Sequence, residues 1–185
     1  DASGQHVLTF GGYGDEPGQM NEPYDVMVEP SGRIIVVERY NHRIQFFDPN
    51  GNSQGWLGSR ATVLEDQLAW IYETPPALFP RPVFELPTAI AKDSRGNSFI
   101  ADSGNHRIVK FDPNWKIVQS FGIQGSGPGE FQYPLGIEVG HNDLIYVADL
   151  NNNRIQVFDS CGHFLCILIE GAKPLETPCL TRVGR

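Results

Sequence analysis

Long apolar stretches are missing from this sequence. The longest, FLCILI at 164–169, is far too short to cross a bilayer as a helix. Basic residues are scarce, with Lys+Arg 14 against Asp+Glu 22 and a net charge of −8. Binding to phosphate backbones draws most of its affinity from clustered Lys and Arg, so nucleic acid is not an expected partner. Cysteine is scarce and odd in number: Cys161, Cys166 and Cys179, with no CxxC. That pattern speaks against a disulfide-dense scaffold, a zinc ribbon or a thioredoxin-type site, and the expectation is two or three reduced, partly buried thiols. Asn-x-Ser/Thr acceptors and the G-x-S-x-G elbow of serine hydrolases are absent as well. The first residue is Asp1, and no basic n-region with an apolar h-region follows it, which reads as a processed form or a piece of a longer chain.

What the sequence does contain is a repeat. RIIVVERYNHRIQFFDP at 33–49, NSFIADSGNHRIVKFDP at 97–113 and DLIYVADLNNNRIQVFD at 143–159 are versions of one phrase. Its central arginines, Arg43, Arg107 and Arg154, keep the same spacings as three opening prolines, Pro23, Pro87 and Pro134. The shorter spacing falls in the range of four-stranded propeller blades. Each unit reads as four short strands: 25–29, 33–38, 43–48 and 53–57, then 89–93, 98–102, 107–111 and 117–121, then 136–140, 144–149, 154–159 and 164–170. Asn, Asp, Gly and Pro between them supply the tight reversals. Runs such as IIVV are apolar on both faces, as suits a sheet sandwiched between neighbouring sheets.

These units predict blade 1 at about 23–58, an insertion at about 59–86, blade 2 at about 87–122 and blade 3 at about 131–170. The insertion contains VLEDQLAWIY, a candidate for two or three helical turns with Thr62 as N-cap, ended by Pro75, Pro76, Pro80 and Pro82. The flanks carry further fragments of the pattern. Residues 1–12 include VLTFGG at 7–12, which reads as the fourth strand of a preceding blade, and 171–185 include LETPCLTRV, which reads as the first strand of a following one. An open slice of this kind exposes two blade faces. If each is about 500 Å² and mostly apolar, roughly 10 kcal/mol per face goes unrealised. The chain is therefore expected either to belong to a longer propeller or to self-associate.

A phrase built from GxGPGEFxxP and PxGI…IYVADxxNxRIQVFD resembles the NHL-repeat β-propeller family. The likeness is closest over 121–159 and nearly as good over 87–122. Over 10–51 it departs, with Glu38 in place of the usual Asp and Tyr24-Asp25 in place of Gly-Ile. The resemblance implies an all-β fold: a partial NHL-type propeller of three complete four-stranded blades, with flanking strands of two incomplete ones. It implies little about function. The family includes RNA-binding domains of tripartite-motif proteins, peptidylglycine amidating lyases and extracellular sensor domains. The lyases use metal-binding histidines, a tyrosine and an arginine, which do not map onto particular positions here.

Within each phrase an acid (Glu38, Asp102, Asp149), an asparagine (Asn41, Asn105, Asn152) and an arginine (Arg43, Arg107, Arg154) span the loop between second and third strands. Acid and arginine sit on antiparallel neighbours, within reach of a charge-assisted hydrogen bond. Because the trio recurs in every unit, it reads as a structural clasp rather than a catalytic group. Asp48, Asp112 and Asp159 recur at strand ends and read as turn formers for the same reason. The loop residues that vary between units are the candidate binding rim: Arg39, Tyr40, His42, Ser103, His106, Leu150, Asn151 and Asn153, with Tyr13, Asp15 and Glu16 in the first crossover. These readings predict a non-enzymatic binding or structural module, without cofactor or metal, whose partners are protein or carbohydrate. A metal-dependent propeller lyase or lactone hydrolase, and an RNA-binding domain, are the alternatives. An extracellular or periplasmic location is favoured slightly.

Overall fold

A computed structural model describes residues 3–58 and 84–168. Among these residues, strands β1 (Pro23–Val28), β2 (Ile34–Glu38), β3 (Arg43–Phe47) and β4 (Ser53–Leu57) form one four-stranded antiparallel sheet in sequence order. Strands β5 (Pro87–Lys92), β6 (Ser98–Asp102), β7 (Arg107–Phe111) and β8 (Ile117–Phe121) form a second. Strands β9 (Pro134–Val139), β10 (Ile145–Asp149), β11 (Arg154–Phe158) and β12 (Phe164–Leu168) form a third. The chain divides into two compact units, Asp1–Pro87 with the first sheet and Thr88–Arg185 with the other two.

The first strand of each sheet begins at its proline, two residues before the pattern suggests. Proline lacks a ladder donor, so it is tolerated at a strand's first residue. Here Pro23 pairs Glu38 and Pro134 pairs Asp149 across a bulge. The residue before each proline, Glu22, Leu86 and Tyr133, lies in the left-handed region. Short 3₁₀ turns at Ser103–Asn105 and Leu150–Asn152, which the pattern does not announce, fill the second-to-third-strand loops of blades 2 and 3.

In the second unit, the face of β9 and β10 that carries Ile137, Ile145 and Val147 packs with Ala89, Ala91, Phe99 and Ala101 of β5 and β6. Small residues opposite β-branched ones let the two sheets approach. Polar ties reinforce the contact: Lys110 Nζ donates to the Ser160 carbonyl at 2.7 Å, and Ser94 donates its amide and hydroxyl to Asp143. Thr88 Oγ1 donates to the Leu135 carbonyl at 2.7 Å. Phe131 is fully buried over Gly122, whose φ of +93° suits glycine. In the first unit Phe84 sits the same way over Gly58.

Residues 7–12 join no described strand, although Phe10 lies 5.0 Å from Phe47, much as Phe121 lies 5.1 Å from Phe158. Val26 and Val28 of β1 are 60% and 63% exposed, whereas the counterpart of Val26, Ile137, facing blade 2, is 7% exposed and that of Val28, Val139, is half-buried. The thiol expectation needs correction. Cys166 is disulfide-bonded, while Cys161 is free and exposed. An odd count without a CxxC motif still permits pairing between cysteines that the fold brings together. The suggested helix at 62–72 and the strand at 175–183 lie outside the described residues. Among the described residues no helix is long and apolar enough to cross a membrane.

Candidate functional site

The site is built on the second-to-third-strand loops. In each, the residue before the arginine takes a left-handed conformation: His42 at φ 52°, His106 at 54° and Asn153 at 51°. That reversal returns the chain so that the acid ending one strand faces the arginine opening the next. Arg43 Nε donates to Glu38 at 2.8 Å, Arg107 Nε to Asp102 at 2.7 Å and Arg154 Nε to Asp149 at 2.8 Å. All three acids are fully buried. Asn41, Asn105 and Asn152 donate to the same carboxylates.

The arginines also reach beyond their own sheet. The Arg154 fork donates to the carbonyls of Ser126 at 2.7 Å and of Gly127 and Glu130 at 2.8 Å. Arg43 does the same for Asp15, Glu16 and Gln19. Asn41 and Asn152 bind Gly14 and Gly125 in the same crossovers. Two glutamines complete the arrangement. Gln45 donates to Glu38 and the Gln19 carbonyl and accepts from Gly18; Gln156 donates to Asp149 and the Glu130 carbonyl and accepts from Gly129. The glutamines were missed in the sequence, although RIQ stands at 43–45 and 154–156; Val109 holds the place in blade 2. A buried charge is tolerable only when paired and hydrogen-bonded, and these groups meet both conditions.

The structure divides the rim candidates. Tyr40, Leu150, Asn151 and Asn153 are exposed, and Arg39 and His106 are half-buried. His42 and Ser103 do not face outward. His42 is buried, its Nδ1 accepting the Leu86 amide at 3.2 Å with Glu85 at 3.4 Å. Ser103 is buried, donating to the Pro134 carbonyl beside Thr88. Both lead the chain into the next first strand, as does His106, whose Nδ1 accepts the Tyr133 amide at 3.0 Å. The sequence reading did not include Tyr24 in the rim. It is exposed, and Arg39 lies over its ring at 5.3 Å and over Tyr40 at 5.5 Å. The available signal was that Tyr24 breaks the repeat at its position.

Among the described residues, three carboxyl groups are held below the usual carboxylate range, all in turns. Asn52, through its side chain and then its amide, does this for Asp48. The Ser94 amide and hydroxyl do it for Asp143. At Asp159 burial opposes the charge, and hydrogen bonds from His163 and the Cys161 amide outweigh it. Among the described residues, no three His, Cys, Asp or Glu side chains form a group that could hold a metal ion.

A family profile for the NHL repeat matches residues 131–158, the span that holds β9 to β11 and the blade 3 clasp. The chain belongs to the NHL-repeat family. With its three antiparallel four-stranded sheets, it is an all-β partial propeller of NHL type. Protein brain tumor of Drosophila melanogaster is 29% identical over 159 residues, covering 84% of this NHL-repeat chain and 13% of that protein. Rat peptidylglycine alpha-amidating monooxygenase is 42% identical over 144 residues, covering 74% of this chain and 13% of the rat protein. A virginiamycin B lyase structure from Staphylococcus aureus superposes with a TM-score of 0.57 at 17% identity, covering 85% of this chain and 44% of the lyase, a likeness of fold alone. The chain thus spans a small part of its curated relatives, 13% of the Drosophila protein and 23% of human NHL repeat-containing protein 3.

Proposed function

We propose that this NHL-repeat chain is a non-enzymatic binding module. Its partners would be protein or carbohydrate, met by the loop tips and crossovers that surround the clasps. One observation carries the reading. The buried acids and arginines of the loops are spent on holding crossover backbone, as their paired hydrogen bonds in blades 1 and 3 attest. The exposed tips beside them differ, Arg39-Tyr40 in blade 1 against Leu150-Asn151 in blade 3. A fixed scaffold with variable tips is an arrangement suited to recognition. The exposed face of β1 further supports either self-association or a place in a longer propeller, and the flanking fragments 1–12 and 171–185 belong to that proposal.

The likeness to rat peptidylglycine alpha-amidating monooxygenase, and to a probable peptidyl-alpha-hydroxyglycine alpha-amidating lyase of Caenorhabditis elegans at 33% over 88 residues, favours a second reading as part of such a lyase. Incubation with a peptide ending in α-hydroxyglycine, with zinc or calcium supplied, separates the two. Absence of turnover by the folded chain supports the binding module; amide product formed in proportion to the chain replaces it.

A further inference from the structure

Blades 1 and 3 hold their crossovers by the same hydrogen bonds, so corresponding positions on their surfaces can be compared directly. In blade 3 the tip positions are neutral and nearly free of rings: Gln124, Ser126, Gly127, Leu135, Leu150 and Asn151. Blade 1 carries Tyr13, Asp15, Glu16, Tyr24, Arg39 and Tyr40 in those places. The three tyrosines are 86%, 46% and 47% exposed in that order. Backbone ties gather them: Gly14, next to Tyr13, accepts from Asn41, next to Tyr40, and Glu22 accepts the Arg39 amide. The Arg39 guanidinium lies over both Tyr24 and Tyr40 and pairs with Glu22 at 3.4 Å. Asp15 and Glu16 are exposed, and their carboxylates make no hydrogen bond or ion pair among the described residues, since the clasp uses only their carbonyls.

We infer that this surface of blade 1 is a docking site for a polypeptide segment bearing arginine or lysine side chains, an inference that rests on the binding-module reading and names its partner. Tyrosine and arginine are the residue types enriched where protein interfaces concentrate their energy. The open ring of Tyr13 offers a face to a cation, the arrangement Arg39 already makes with Tyr24 and Tyr40. Asp15 and Glu16 supply unspent negative charge beside it, and Arg39 is neutralised by Glu22. The local field therefore attracts a cationic segment and repels an anionic one such as nucleic acid or a phosphopeptide. Uncharged sugars could stack on the same rings but would gain nothing from the two carboxylates.

The test is fluorescence anisotropy with a fluorescein-labelled peptide of alternating glycine and arginine. Its counterpart of glycine and glutamate, a neutral chitin oligosaccharide and oligothymidylate serve as competitors. The expected result is binding to the intact chain that weakens about five- to thirtyfold in the Tyr13→Ala, Tyr40→Ala double variant. Asp15→Asn with Glu16→Gln should weaken it by a similar factor at low salt, with the difference fading as salt rises. Gln124→Ala with Ser126→Ala, at the matching places of blade 3, should change nothing. Circular dichroism checks that each variant is folded. Equal binding by all variants would mean general attraction to an acidic protein and overturns the inference. So does competition by the oligosaccharide or oligothymidylate that is lost in the tyrosine variant. Either failure leaves the module reading standing with another ligand, whereas turnover of the α-hydroxyglycine peptide would remove that reading whatever the anisotropy shows.

Discussion

Replacing Arg154 by alanine should cost far more than loss of an ordinary surface ion pair. The side chain makes four hydrogen bonds: one to Asp149 and three to the carbonyls of Ser126, Gly127 and Glu130. It is 11% exposed and its partner acid is fully buried. Without it, Asp149 keeps its bonds to Asn152, Gln156 and the Gln132 amide but loses its only cation among the described residues. Breaking a buried pair in this way costs about 3–5 kcal/mol. For a chain of this size each kcal/mol is worth about 2–4 °C, so the melting temperature should fall by about 6–20 °C. Arg154→Lys keeps the charge but not the fork, and should fall between wild type and alanine. Arg43→Ala should cost at least as much, because that side chain is 4% exposed and stacks on Trp56 at 5.0 Å. Calorimetry gives the shift, and amide exchange over 124–131 reports whether the crossover is released. A fall below about 2 °C with unchanged exchange would place the pair with exposed salt bridges and refute the clasp argument.

Three further outcomes follow from other parts of the molecule. Gly122→Ala drives a methyl into the buried Phe131 ring at a φ of +93° and should destabilise strongly, whereas Gly4→Ala, at +81° with nothing within 4 Å, carries the backbone strain only; urea midpoints of the two isolate the ring contact. The Asp48 carboxyl is held below its ordinary range by Asn52, so the folded state favours its charged form. Its stabilising contribution is present above the ordinary carboxylate pKa and is lost as pH falls through the lowered value, so Asp48→Asn should flatten the acid limb of the urea-midpoint profile and leave its shape near neutrality unchanged. Iodoacetamide should label Cys161 on the native chain and Cys166 only after reduction, read by peptide mass.

The fold was legible because its signals are local and repeated. The strand assignments for β6, β7 and β8 agree with the sequence at both ends, since Asp102 and Arg107 bound the loop and Pro113 and Gly122 bound the turns. The acid–asparagine–arginine geometry was legible for the same reason, as its members lie within six residues of one another. The crossover contacts were not. Arg154 reaches Glu130 and Gln156 reaches Gly129 across more than twenty residues of chain, and no local pattern gives that distance. The burial of His42 and Ser103 was hidden likewise. Each is polar and sits in a turn, yet each is covered by the segment entering the following first strand, Leu86 for one and Pro134 for the other.

Repetition also supplies the means of separating scaffold from function within one chain. A position that keeps its residue type in all three blades, such as Arg43, Arg107 and Arg154, answers to a demand that every blade makes, and that demand is visible as a hydrogen bond to a fully buried carboxylate. A position that changes while its backbone stays in place is free of that demand. Tyr40 and Asn151 follow the same clasp acid by two residues, and their amides bond to the equivalent carbonyls of Asn21 and Gln132. The backbone there is shared and the chemistry is not, so the difference between the side chains must be sought in what each blade meets. By this criterion Tyr40 falls with Tyr13 and Tyr24 among the residues of the proposed docking site, and His42, whose Nδ1 accepts a backbone amide as that of His106 does, falls with the scaffold. Exchanging Tyr40 for asparagine should accordingly leave the melting temperature within about 1–2 °C, as expected of a surface change of about 0.5 kcal/mol. His42→Ala, which strips a buried acceptor from the Leu86 amide, should lower it by several times as much. Equal shifts for the two would show that the repeat does not sort the residues in this way.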